Sequence, residues 1–177
     1  MKKVEKMSFK VTFKTRIMYL FVAAMIALIL FNTEVSIFEN LFSKSFILYP
    51  TKHLIINLYL YKTLLMIPIC FIHELIHALL FSIYGGKIIF EFKGLMLCSV
   101  EKSGIAIDRQ KYLIILLSPL VIISLISLLL PPWLGGIFFI LNIVESSADI
   151  YKAINLCLVN WDCKIVYKSY GYDVVKH

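Results

Sequence analysis

The sequence predicts an all-α integral membrane bundle of about four transmembrane helices with a small cytoplasmic β element. Of its 177 residues, 60% are hydrophobic and only 16% are charged, whereas soluble domains carry about 25% charged residues. Four apolar stretches approach or exceed the length that crosses a bilayer. The basic residues cluster beside these stretches. A chain of this length is expected to form one membrane domain, residues 1–177.

The first apolar stretch follows a basic tail, residues 1–16, and so has the general form of a signal peptide. No small-residue cleavage site follows it, which favours a retained span. A near-neutral segment, residues 34–52, comes next, and its apolar residues recur at helical spacing, which predicts a short interfacial helix. The four predicted spans cover about residues 17–33, 60–84, 112–130 and 137–159.

A polar loop, residues 85–111, separates the second and third spans. Apolar and charged residues alternate in its first third, and glycines follow, which predicts a β-hairpin or two short strands. Similar alternation occurs in the N-terminal tail and in the C-terminal tail, residues 160–177. These tails are predicted to add strands to the loop in one small sheet, with two disordered tails as the alternative.

Basic residues indicate how the chain is oriented. The first tail contains six Lys or Arg, the 85–111 loop five and the last tail three. Cytoplasmic segments carry this excess, so both termini are predicted to be cytoplasmic in a multi-pass protein of the cell membrane. The net charge of +7 is explained in this way. No aromatic and basic binding motif accompanies it, so nucleic acid is not an expected partner.

Residues 73–77 read His-Glu-Leu-Ile-His, an H-E-x-x-H motif inside the second span. On a helix, His73 and His77 share one face and can hold one Zn²⁺ ion, while Glu74 can act as general base on a metal-activated water. Two capped or paired histidines are the alternative. Ionisable groups are costly in an apolar span, which favours the functional interpretation.

A catalytic zinc needs a third protein ligand. In the fourth span, Asn142, Glu145, Asp149 and Lys152 are spaced so that they share one helix face. Either acid is a candidate ligand, and an internal ion pair with Lys152 is the alternative. The spacing also suggests that Asn142 or Glu145 supports a ligand histidine from behind. Asp149 and His77 are both expected near the cytoplasmic ends of their spans, about 10–15 Å from the interface.

Several features together resemble a bacterial membrane family known as putative zincin peptidases. They are the motif helix, a Gly85-Gly86 turn into strand-like sequence, Ser118-Pro119 in the third span, and a late Ser-x-Asp at residues 147–149. This family is similar in plan to the site-2 proteases, intramembrane zinc proteases with a late aspartate ligand. The resemblance spans roughly residues 60–170. It implies a bacterial protein and favours Asp149 over Glu145, the residue at the position that binds zinc in thermolysin-like enzymes.

The H-E-x-x-H motif and the family resemblance together predict a zinc-dependent intramembrane or membrane-surface peptidase. Its expected substrate is a membrane protein or peptide. The lipid bilayer is its other expected partner. The alternative is a non-proteolytic metal-binding membrane protein, such as a sensor, an immunity or accessory factor, or a metal carrier. Glu74 favours the peptidase, because a structural or transport site has no need of a general base between its histidines.

Overall fold

The computed structural model describes residues 7–43, 51–93, 96–168 and 170–176. The predicted turn at Gly94 and residues 44–50 of the predicted 34–52 segment lie outside this part of the chain. The helices are α1 (Phe13–Ser43), α2 (Leu54–Ile83), α3 (Arg109–Ser127), α4 (Pro132–Glu145) and α5 (Ser147–Cys157). The strands are β1 (Met7–Lys10), β2 (Ile88–Lys93), β3 (Met96–Glu101), β4 (Ala106–Asp108), β5 (Cys163–Lys168) and β6 (Gly171–Lys176).

Three helices, α1, α2 and α3, are each long and apolar enough to cross a membrane. The pair α4 and α5 meets the same criterion together, although it is bent by 50°. No residue in the apolar window of α1 is buried inside the protein, and most residues in the windows of α2 and α3 are not buried either. These outward apolar faces suit lipid rather than water. A mostly helical bundle with three to four possible spans is therefore confirmed.

The first helix is longer than predicted. It runs without interruption from Phe13 to Ser43. Its apolar part ends at Thr33, where the predicted span ends, and residues 34–43 are helical as predicted but continue the same helix. No glycine or proline occurs between these ends, and nothing in the backbone therefore stops the helix.

The second helix also starts early, at Leu54 rather than near residue 60. Its first turn is tied to the preceding chain by Asn57, whose amide donates to the Thr51 carbonyl at 2.9 Å. The Thr51 backbone N–H and hydroxyl donate to the Asn57 side-chain oxygen at 3.0 and 2.6 Å. This reciprocal pairing satisfies polar groups at the helix start and so allows the earlier beginning.

The predicted fourth span over residues 137–159 is bent rather than straight, because the chain breaks at Ser146. This residue has ψ of −2° and lies between α4 and α5, whereas an α-helix needs about −42°. The Asn142 amide just before the break donates to the Leu120 carbonyl of α3 at 3.0 Å and to the Ser124 hydroxyl at 3.3 Å. The Ser146 hydroxyl in turn donates to the Asn142 side-chain oxygen at 3.5 Å, and local side-chain bonds of this kind compete with regular helix.

The structure contains the predicted β element, but its strands form two sheets rather than one. Strands β2 and β3 pair antiparallel as a hairpin, as the alternation within residues 85–111 predicts. The second sheet has the antiparallel order β1-β6-β5-β4 and so joins the N-terminal tail, the loop and the C-terminal tail. The all-α description is corrected accordingly. Because β1 precedes α1, β4 precedes α3 and β5 follows α5, those three helix ends lie at one end of the bundle.

Aromatic packing connects the four-stranded sheet to this end of the bundle. The Tyr112 ring of α3 lies edge-on to Phe81 of α2, 6.1 Å between centroids, and edge-on to Tyr172 of β6 at 5.7 Å. Ile115, Leu156 and other buried residues complete the same cluster. The sheet is thereby held against the end of α2 that follows the histidine motif.

Arg109, the first residue of α3, hydrogen-bonds to the C-terminal end of α5. Its Nε donates to the Leu156 carbonyl at 2.9 Å and its Nη2 donates to the Cys157 carbonyl at 3.1 Å. The guanidinium also lies over the Trp161 ring, 4.5 Å from the centroid. The last carbonyls of a helix lack partners within it and carry partial negative charge, so a cation here stabilises the end of α5.

Candidate metal centre

Helix α2 presents two histidines to the protein interior. His73 and His77 are four residues apart, both buried, with ring centroids 4.8 Å apart and Nε2 atoms 3.2 Å apart. The i, i+4 spacing on a regular helix produces this arrangement directly. Both Nε2 atoms therefore point toward one small region.

Asp149, in the first turn of α5, completes this region. Its Oδ2 lies 2.9 Å from His73 Nε2 and 3.1 Å from His77 Nε2. Two ligands at about 2.0 Å from a tetrahedral metal would be about 3.3 Å apart. Among the described residues, these three form the cluster of histidine, cysteine or acidic groups with metal-like spacing. Two imidazoles and a carboxylate are a donor set that Zn²⁺ accepts at catalytic sites.

The orientation of His77 is set from behind by a main-chain group. Its Nδ1 lies 2.9 Å from the Ile115 carbonyl of α3. A carbonyl can only accept, so Nδ1 carries the proton and donates, which leaves the lone pair of Nε2 free for a metal. Sequence reasoning missed Ile115, because a backbone acceptor leaves no signature in residue type. The Nδ1 of His73 is buried and has no hydrogen-bond partner among the described residues.

The two oxygens of Asp149 have different partners. Oδ2 faces the histidines, while Oδ1 accepts a hydrogen bond from Lys152 Nζ at 2.7 Å. The ion pair considered as an alternative to metal binding is thus present together with the histidine contacts. Lys152 holds the carboxylate in one orientation and partly offsets its charge in a buried site.

The other two polar residues of the fourth span lie outside the three-residue cluster. Asn142 is directed to α3, as described above, and Glu145 is half-buried beside Cys70 of α2, near the site but not part of the cluster. The break at Ser146 accounts for this separation, since residues before and after it no longer share one straight helix face.

Glu74 lies beside the cluster and is held by the hairpin. Its Oε2 accepts hydrogen bonds from the backbone N–H of Ser99 at 2.6 Å and from the Ser99 hydroxyl at 2.5 Å. Ser99 belongs to β3, which packs against α2. Sequence reasoning missed Ser99 too, because its role depends on where the hairpin docks.

A cavity of about 630 Å³ opens next to these groups. This volume lies within the usual range of ligand pockets, about 300–1,000 Å³. Its walls come from α1, α2, α3, α5, β3 and the β5–β6 hairpin. The charged and candidate catalytic groups that line it are Arg16, Glu74, His77, Asp149, Lys152 and Lys168.

Comparison with protein families finds that the family described as putative zincin peptidase matches residues 63–164. The match covers more than half of the chain and includes both the histidine motif and Asp149. The chain belongs to this family. Comparisons with curated proteins and with solved structures find no significant match.

The residues that line the cavity fall partly inside and partly outside the segment that matches the family. Glu74, His77 and Asp149 lie inside the matched segment, as does Ser99. The parts of the wall that come from α1 and from the end of β5 lie outside residues 63–164. The family name implies zinc, and the donor set and spacing of the three-residue cluster suit that ion.

Proposed function

We propose that this protein is a zinc-dependent intramembrane or membrane-surface peptidase in which His73, His77 and Asp149 hold the metal. The observation that carries this proposal is the convergence of two imidazole nitrogens and one carboxylate oxygen within 3.2 Å of one another. Glu74 shares a cavity with His77 and Asp149, which is the arrangement that hydrolysis at a metal requires.

In the proposed reaction, Glu74 takes a proton from the attacking water and later delivers it to the leaving amine. Zinc, when bound, would polarise the scissile carbonyl and acidify that water. Ser99 orients the Glu74 carboxylate through its two hydrogen bonds. Lys152 and the Ile115 carbonyl orient Asp149 and His77 respectively. These contacts fix the reacting groups before substrate arrives, and such preorganisation is a main source of catalytic rate.

The hairpin β2–β3 offers a way to hold the substrate. Among the described residues, each of its strands pairs only with the other, so each has an open edge. A peptide in helical form has its carbonyls occupied and must unwind before cleavage. We therefore propose that an unwound segment adds to the hairpin as a further strand beside Glu74.

The proposed setting is a bacterial cell membrane with both termini in the cytoplasm. The shared sheet of β1, β4, β5 and β6 brings both tails and the 85–111 loop to one end of the bundle. Those three segments contain 14 of the 18 Lys and Arg residues, and such an excess marks the cytoplasmic side. The cavity lies at this end, so a substrate would be cut near the cytoplasmic membrane surface.

Purified protein in detergent is expected to contain about one zinc ion per chain and to hydrolyse peptides from a membrane-protein digest. Removing the ion with a strong chelator should abolish cleavage, and adding zinc back should restore it, because the metal supplies both polarisation and water activation. Metal analysis and mass spectrometry of the digest measure these effects. Stoichiometric zinc without any zinc-dependent cleavage would favour the non-proteolytic alternative.

Ser99→Ala is expected to lower the cleavage rate about tenfold with zinc content unchanged, because outer partners of a site typically contribute 10- to 100-fold. The variant loses the hydroxyl bond to Glu74 but keeps the backbone N–H bond. Ser99→Thr, which retains the hydroxyl, should stay within about twofold of the wild type. Equal loss in both variants would show that packing at β3, rather than the hydroxyl, matters.

A further inference from the structure

The cavity beside the candidate metal centre is more cationic than the proposed chemistry needs. Three cations line it, Arg16, Lys152 and Lys168, together with two acids, Glu74 and Asp149. Lys152 is paired with Asp149, and Glu74 accepts from Ser99. Arg16 and Lys168 have no ion-pair partner in the part of the chain that the structure describes. A bound divalent metal would make the cavity more positive still.

Tyr19 adds a polar group to the same wall. It follows Arg16 by three residues on α1, so the two side chains share a helix face. Its hydroxyl is buried and lies near Thr15, one turn earlier on α1. The ring is held edge-on to Tyr151, 5.4 Å between centroids.

We propose that Arg16, Tyr19 and Lys168, here called the cationic corner, bind a carboxylate of the substrate peptide. This inference rests on the proposed peptidase function and names its substrate class. All three side chains can donate hydrogen bonds, and a carboxylate is an acceptor that can take several at once. Because the same cavity contains Glu74, His77 and Asp149, the bound carboxylate would belong to the segment undergoing cleavage.

The corner lies outside the segment that matches the family, residues 63–164. The groups proposed for chemistry lie inside it. A group outside the family match is a feature of this particular chain. Its position therefore suits a role in substrate selection, while the groups inside the match suit the reaction itself. The carboxylate can come from an acidic side chain near the cleaved bond or from the C-terminus of the substrate, and the two sources predict different cleavage products.

The test measures peptide binding by the full-length Glu74→Gln protein, loaded with zinc, in nanodiscs of neutral phosphatidylcholine. Three peptides of one uncharged sequence carry a neutral fluorophore: one is amidated, one is amidated with a central Glu, and one has a free C-terminus. We expect at least one carboxylate peptide to bind at least about tenfold tighter than the neutral one, as charge-assisted hydrogen bonds allow. Which peptide gains affinity identifies the source of the carboxylate.

Adding Arg16→Gln and Lys168→Gln together should remove that preference, and Tyr19→Phe should weaken it about threefold or more while preserving the ring packing. The matched control is Lys14→Gln with Lys164→Gln. It removes the same charge from the same two elements, α1 and β5, at positions that do not line the cavity, and it should keep the preference.

Equal affinity for the three peptides, or binding of none, would overturn the proposal. So would a preference that the cationic-corner variant and the control lose equally. A separate measurement uses nanodiscs that contain anionic phosphatidylglycerol. If this lipid is enriched around the protein in a way that depends on Arg16 and Lys168, and no peptide preference is found, the corner binds a lipid headgroup instead. Failure of the peptidase proposal is separate, because it would appear as wild-type protein that cleaves no better than Glu74→Gln.

Discussion

Glu74→Gln is expected to lower the rate of peptide hydrolysis by about 10²- to 10⁴-fold, the range that a general acid–base residue contributes. Glutamine has nearly the same shape, and its amide oxygen can still accept from Ser99. It cannot take a proton from water. The zinc content should remain that of the wild type, because Glu74 is not part of the three-residue cluster.

The effect can be measured with purified protein and in cells. In vitro, cleavage of the membrane-protein digest gives the rate and elemental analysis gives the zinc content. In cells, mass spectrometry of membrane peptides from variant and wild-type strains would show which fragments disappear. Glu91→Gln is the matched control, since Glu91 belongs to β2 and pairs with the partly exposed Lys102 at 2.8 Å. Normal cleavage by Glu74→Gln would contradict the general-base role.

Asp149→Asn is expected to weaken zinc binding by at least about 100-fold. Loss of a residue that only supports a metal ligand costs up to about 100-fold in metal affinity, and loss of a ligand itself should cost at least as much. A neutral amide is a much poorer zinc ligand than a carboxylate, and it also loses the ion pair with Lys152. The change preserves side-chain volume in a buried position, so it does not open a cavity. Peptide hydrolysis should fall with zinc occupancy.

Competition against a chromogenic chelator measures the zinc affinity of each variant, and thermal unfolding of the zinc-free proteins checks that the fold is intact. Glu145→Gln is the control, because Glu145 lies beside Cys70 and outside the cluster. It should retain zinc within a few-fold of the wild type. Loss of zinc in Glu145→Gln with retention in Asp149→Asn would assign the third ligand to Glu145 instead.

Features that depend on residues close in sequence were predictable from the chain alone. Helices long and apolar enough to span a membrane follow from long apolar stretches, since their backbone bonds close within each stretch. The hairpin β2–β3 follows from alternating side chains. The pairing of His73 with His77 follows from one turn of helix. Each of these needs only local geometry, and each occurs in the structure, although α1 and α2 are longer than the predicted spans and the fourth span is bent.

Helix ends and sheet partners were less predictable. The extension of α1 to Ser43 shows that two acids in an otherwise permissive segment do not stop a helix. The strands form two sheets because the two tails pair with each other and with β4, while β2 and β3 pair only with each other in the described residues. The alternation of apolar and polar residues predicts a strand but does not determine its partner. Such choices are made by contacts between residues that are distant in sequence.

The sequence by itself determined the motif helix and limited the third acidic group to Asp149 or Glu145. Only the tertiary structure decided which of the two contacts the histidines. The break at Ser146 allows Asp149 to come within 2.9 Å of His73, while Glu145 lies beside Cys70, one turn earlier on α2. The tertiary structure also supplied the contacts of Ser99 and of the Ile115 carbonyl. The Ser99 hydroxyl and the Ile115 carbonyl can orient site residues only because they lie next to them. That proximity results from packing between helices and strands that are far apart in the sequence.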